Sequence, residues 1–246
     1  MSISDSHTLL PIDDDLAQEV AATIREGEFA ELTIMLKAHP ELATARIVDE
    51  RDVQRTLLHV ATDWPGRFPS VAKTIALLVK AGADVDAGAI KPDGDAPETP
   101  LHWAASSDDV AAIDALLDHG ANIEAPGAVF TNGTPISDAV VFGKWRAAGR
   151  LVERGAETTI WQAAALGLLD RVEAHYGRKP SPTPADITNA FWHACRGGHR
   201  ATAEYLRALG ADVQEVGPDG HTALQLAEKR GDADLIRWLR EQEFEA

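Results

Sequence analysis

Apolar residues in this chain cluster in short blocks at three- and four-residue intervals, a period that predicts brief amphipathic helices. Residues 16–25 and 30–36 read as one such pair near the N-terminus. Near the other end, Thr222 is placed to cap a helix carrying Leu224, Leu226 and Ala227 and ending near Gly231. A second helix follows, with Leu235, Ile236 and Leu239 as its apolar stripe. Two helices this short bury too little surface alone, so each pair must gain its stability by stacking on a neighbour.

The same unit recurs between these ends. Thr56-Leu-Leu-His-Val-Ala61, Thr99-Pro-Leu-His-Trp-Ala-Ala105, Thr134-Pro-Ile-Ser-Asp-Ala139, Thr158-Thr-Ile-Trp-Gln-Ala-Ala164 and Thr222-Ala-Leu-Gln-Leu-Ala227 align with one another. Asn189-Ala-Phe-Trp-His-Ala194 joins them through its small-residue turn, Gly197-Gly198-His199. Gly82-Ala-Asp, Gly120-Ala-Asn, Gly155-Ala-Glu and Gly210-Ala-Asp close four of the units.

This pattern resembles the ankyrin-repeat family, whose period is about 33 residues. The resemblance runs from about 56 to 239. It implies an all-α solenoid of stacked helix-turn-helix units with short β-hairpin or loop fingers between them. The expected layout is an N-terminal tail over 1–15 and one array over 16–246. Within that array, a degenerate cap spans 16–50, repeats start near 56, 99, 134, 158, 189 and 222, and a C-terminal cap runs to 246.

The middle is irregular. Trp64-Pro-Gly-Arg-Phe-Pro-Ser70 inserts between the paired helices of the first repeat, and its prolines and glycine forbid a continuous helix. The connection from Gly155 to Thr158 is too short for a finger. Lys179-Pro-Ser-Pro-Thr-Pro184 reads as a polar, proline-rich loop in place of the next one.

Charge narrows the partners. Lys and Arg number 23 against 39 Asp and Glu, a net charge of −16, which disfavours nucleic acid and anionic membranes and attracts basic or mixed-charge proteins. One cysteine, Cys195, excludes an internal disulfide framework or a Cys-rich zinc module. Residues 1–15 lack the basic and apolar regions of a signal peptide, and no apolar run approaches the roughly 20 residues of a spanning helix. A cytoplasmic protein is expected. The alanine-rich repeats resemble bacterial sequences.

Chemical motifs are scarce. There is no phosphate-cradling loop, nucleophile elbow or H-E-x-x-H, so no catalytic residue, metal site or cofactor is expected. His193, Cys195 and His199 suggest a metal cluster, but residues two apart on a helix face different ways. Asp13-Asp14-Asp15 and Asp108-Asp109 suggest calcium or acid/base work, but the first precedes a predicted helix, where carboxylates favour the positive end of its dipole, and a solvated turn is the better reading of the second. The family resemblance gives Thr56, His59, Thr99, His102, Thr134 and Thr222 a structural role, the histidines tethering neighbouring loops.

The resemblance also implies which positions face the concave groove. Those positions bring Trp64, Trp103, Asp138 and Phe142 from successive repeats onto one surface, with Trp145 closing its edge. Indoles around a carboxylate suit a cationic group. Three readings stay open: a binding patch, a core covered by Phe68 and Phe130, or an incidental surface.

The leading functional expectation is a non-enzymatic protein-interaction scaffold using the groove and finger loops, one version being an acidic inhibitor or adaptor of a basic partner. The alternative is a small-molecule binder or an unrecognised enzyme using the same aromatic and acidic residues. The charged ends read as solubilising caps, which implies a monomer.

Overall fold

The computed structural model describes residues 8–94 and 97–244. The chain divides into two compact units, Met1–Ala156 and Glu157–Ala246.

The first unit opens with a strand inside 1–15, where the sequence predicts a tail. Leu9–Pro11 (β1) pairs parallel with Arg46–Val48 (β2), which pairs antiparallel with Gln54–Thr56 (β3), giving the order β1-β2-β3. Three residues are too few to display a strand period, and the partner lies more than thirty positions away, so nothing local announces the pairing. Between β1 and β2 run α1 (Asp15–Glu26) and α2 (Phe29–Ala38). The Asp14 carboxylate caps α1 by accepting from the Ala17 N–H at 3.1 Å, so the first acidic cluster serves a helix N-terminus. Ala17, Val20 and Ile24 from α1 meet the core that Leu32 and Leu36 of α2 also enter.

Three helical pairs follow: α3 (Leu57–Thr62) with α4 (Val71–Lys80), α5 (Pro100–Ser106) with α6 (Val110–Asp118), and α7 (Pro135–Val141) with α8 (Trp145–Glu153). The inner helices of these pairs are six or seven residues long. A helix that short does not hold itself together in water, so lateral packing sustains it. Alanines make this packing close: Ala61, Ala104, Ala105, Ala139, Ala147 and Ala148 are fully buried. The fingers pack as closely. A Cβ on Gly127, at φ +136°, would lie 2.6 Å from the Pro97 carbonyl oxygen, so this finger admits only glycine there.

The second unit contains α9 (Ile160–Ala165) with α10 (Leu169–Tyr176), α11 (Pro184–Gly197) with α12 (Arg200–Ala208), and α13 (Ala223–Arg230) with α14 (Ala233–Phe244). Its core gathers Val172, Phe191, Cys195, Leu206, Leu235 and Leu239. Phe191 and Trp238 lie 6.3 Å apart within it.

Two repeat starts differ from the sequence reading. The cap of α9 is Thr159 rather than Thr158, because Gln162 at the third helical position accepts from the Thr159 N–H at 2.7 Å. The larger difference is α11. It begins at Thr183, not at Asn189, and Asn189 lies inside the helix. Thr183 and Asp186 form a reciprocal capping box, and Pro184 occupies the first turn, where its missing N–H costs nothing. The end of the proline-rich loop is therefore the start of a 14-residue helix.

Candidate functional site

The repeat motif sets the local geometry. Thr56 and Thr99 cap α3 and α5, and the histidine three residues later answers each. His59 Nδ1 accepts from the Thr56 N–H at 3.2 Å, which leaves the ring proton on Nε2, facing the Glu98 carbonyl at 2.9 Å. His102 repeats the arrangement with Thr99 at 3.1 Å and the Gly133 carbonyl at 3.4 Å. Both imidazoles are fully buried. Burial drives the His59 pKa down to about 3 and that of His102 down to about 4, so both rings are neutral. Each carbonyl belongs to the residue just before the next capping threonine. Thr134 stands at the N-cap position of α7 without a side-chain cap hydrogen bond, and Thr222 caps α13 in a reciprocal box with Gln225.

The aromatic and acidic positions do not form the open patch that repeat geometry predicts. Trp64 is 76% exposed, on the insert between α3 and α4. Trp103 is half-buried, edge-on to His59 with ring centroids 4.9 Å apart, while the Arg55 guanidinium lies 5.9 Å from its ring. Trp145 opens α8 and is half-buried. Phe142 is exposed and pairs with Phe130 of the 127–133 finger at 5.8 Å. Phe130 is itself 71% exposed, so it extends the surface instead of covering it.

Asp138 departs furthest from the surface that repeat geometry predicts. Expected among exposed indoles, it is only 1% exposed. The finger folds over it, and the Val129 N–H donates to its carboxylate. Among the described residues Oδ2 has no hydrogen-bond partner. Burial, reinforced by the nearby Glu98 charge, pushes its pKa up to about 7 against the opposing pull of the Val129 N–H and Lys91. Asp138 thus holds the base of the finger that presents Val129 and Phe130.

Two of the cavities on this unit are formed by described residues alone. One of 180 Å³ lies among Ala17, Ala21, Ile47, Arg55 and Val60; the other, of 480 Å³, lies beside Phe68, Asp108, Asp109 and Arg146. Neither is lined by Trp64, Trp103, Asp138 or Phe142. Asp108 and Asp109 are committed to helix ends. Asp109 accepts from the Ala112 N–H at 3.1 Å and from the Arg67 N–H, and Asp108 accepts from the Ala147 N–H at 2.9 Å. Asp108 adopts φ +55°, the left-handed turn usually left to glycine.

In the second unit His193 is buried, 4.8 Å from the rings of both Trp161 and Trp192, and burial drives its pKa down to about 3. Cys195 is fully buried, and burial pushes its thiol pKa up. Among the described residues no group of three His, Cys, Asp or Glu is placed to hold a metal ion.

Val129 and Phe130 form surface that the sequence pattern does not predict, Phe130 being expected, on one reading, to cover the core. The signal was present in Val129-Phe130-Thr-Asn-Gly133, an apolar pair beside a turn, but their exposure depends on a finger fold that repeat spacing does not specify. The Ankyrin repeat family model matches residues 98–128, which span α5, α6 and the start of that finger.

Proposed function

We propose that this ankyrin-repeat protein is a non-enzymatic interaction module whose first unit engages a partner protein through Trp64, Phe130 and Phe142, with Val129 beside them. One observation carries this reading. Phe130, on a finger joined to buried Asp138 through the Val129 N–H, pairs with Phe142 at the end of α7, and both rings remain exposed. Large aromatics held rigidly in water contribute most to binding when a partner covers them. Ankyrin repeats generally mediate protein–protein contacts, which supports the same conclusion. No helix among the described residues is long and apolar enough to cross a membrane.

The net charge of −16 favours a basic or mixed-charge partner and an association that weakens with salt. A monomeric, cytoplasmic adaptor or inhibitor fits this picture. The test uses wild-type bait and a Trp64→Ala, Phe130→Ala, Phe142→Ala variant in native lysate at low and high salt. These side chains are exposed, so the variant is expected to melt as the wild type does. Loss of a captured partner from the folded variant supports the reading. Retention of the same partners by both baits refutes it.

A further inference from the structure

The overlong α11 builds a second surface. Trp192 takes the place that His59 and His102 hold in the first unit: its Nε1–H donates at 2.7 Å to the His221 carbonyl, directly before the capping threonine Thr222. By that register an ordinary inner helix begins near Asn189. Residues 184–188 are an overhang of more than a turn.

The overhang faces the loop and hairpin over 210–222, where Val216 pairs with Thr222. The two walls are joined by the Asp212 N–H, which donates to Thr188 Oγ1 at 3.1 Å. Between them lies an open groove of 590 Å³, floored by Trp192 and by Gly217, whose backbone rests on the indole. That volume is in the range of a short peptide segment or a drug-sized molecule.

The chemistry of the walls is one-sided. Pro184, Ala185, Val216 and Pro218 give apolar surface, and Val216 is 57% exposed. The ionisable lining side chains are Asp212 and Glu215, both acidic and both exposed on the same wall. Arg196 packs over the Trp192 ring at 5.9 Å but is not a lining residue. An anionic ligand would meet two carboxylates and no cationic side chain there, with Thr188 and Asn189 as the neutral polar groups, and a bare cation would leave the apolar wall unused.

We propose that this groove docks an extended segment of a partner protein, with an apolar side chain on Val216 and the two prolines and a lysine or arginine at the Asp212–Glu215 wall. The proposal is independent of the Phe130 surface in the first unit.

The probe is the capped hexapeptide acetyl-Pro-Leu-Lys-Pro-Leu-Lys-amide, with a counterpart carrying glutamate in place of lysine, titrated into the full chain. The Trp192 indole N–H and Gly217 amide signals in NMR report occupancy. The lysine peptide is expected to shift both saturably and the glutamate peptide neither. Glu215→Lys, a substitution on an exposed loop, is expected to weaken binding roughly five- to ten-fold, and Glu215→Gln roughly two- to three-fold. The Phe130→Ala variant is expected to bind the peptide as the wild type does, which separates failure of this site from failure of the first. No saturable shift at millimolar peptide, equal shifts from both peptides, or unchanged affinity in Glu215→Lys would overturn the proposal.

Discussion

Asp138 offers the sharpest quantitative test, because its buried carboxyl must ionise against its surroundings. With one side-chain oxygen unpartnered and Glu98 nearby, its pKa stands at about 7 against an ordinary 3.8. Each pH unit of that difference is worth about 1.4 kcal/mol, so ionised Asp138 costs the folded state on the order of 4 kcal/mol relative to an exposed carboxylate. The sign follows from proton binding. Between pH 3.8 and about 7 the folded protein keeps a proton on Asp138 that the unfolded chain has released. Stability from this group is therefore full below pH 3.8 and is lost as pH rises towards 7.

Asp138→Asn keeps the shape and an acceptor for the Val129 N–H but cannot ionise. Urea unfolding of wild type and variant from pH 4.5 to 8.5, followed by circular dichroism, gives the difference between them. Because every other titrating group is common to both proteins, that difference isolates Asp138. The variant is expected to gain on the wild type by up to about 1.4 kcal/mol per pH unit through the slightly acidic range and to level off above pH 7. A difference independent of pH would refute the reasoning, whatever its average size.

Two further outcomes follow from close contacts described above. Gly217→Ala would place a Cβ on the Trp192 ring, so it should cost roughly 1–3 kcal/mol and red-shift tryptophan emission; an unchanged midpoint would mean that the hairpin does not rest on the indole. His59→Gln should keep the cap, as Gln162 and Gln225 do, but lose the tether to Glu98, costing about 1 kcal/mol against about 2–3 for His59→Ala. Because folded His59 stays neutral down to about pH 3, its contribution is full above pH 6.5 and lost as pH falls below it. The gap between wild type and either variant should narrow in acid, which denaturant midpoints at pH 7.5 and 5 would measure.

The helical pairs were legible because their determinants are local: a capping threonine, a polar residue three positions on, and alanines at the tight contacts. Thr56, Thr99, Thr134 and Thr222 each mark a helix start to the residue. What the sequence hid depends on distant partners. Leu9–Pro11 becomes a strand only because Arg46–Val48 lies beside it. Asp138 occupies a position that repeat geometry leaves open, and the finger carrying Val129 closes over it. The start of α11 was masked differently. Thr183-Pro184 is a good helix opening, but with Pro180 and Pro182 just before it the stretch reads as a loop.

That last case shows how an irregular repeat acquires a new surface. In α3 a single histidine both caps its own helix and tethers the next finger, so cap and tether lie on one turn. In α11 the two jobs are split: Thr183 and Asp186 cap the helix, while Trp192 makes the tether two turns later. An indole N–H can donate but cannot accept, so it cannot satisfy a capping threonine's N–H as imidazole does. With tryptophan in the slot, the reciprocal cap of α11 is formed upstream, by Thr183 and Asp186. The helix between cap and tether is the overhang that walls the acidic groove. The longer helix and the Trp192 tether thus together give the second unit a cleft of its own.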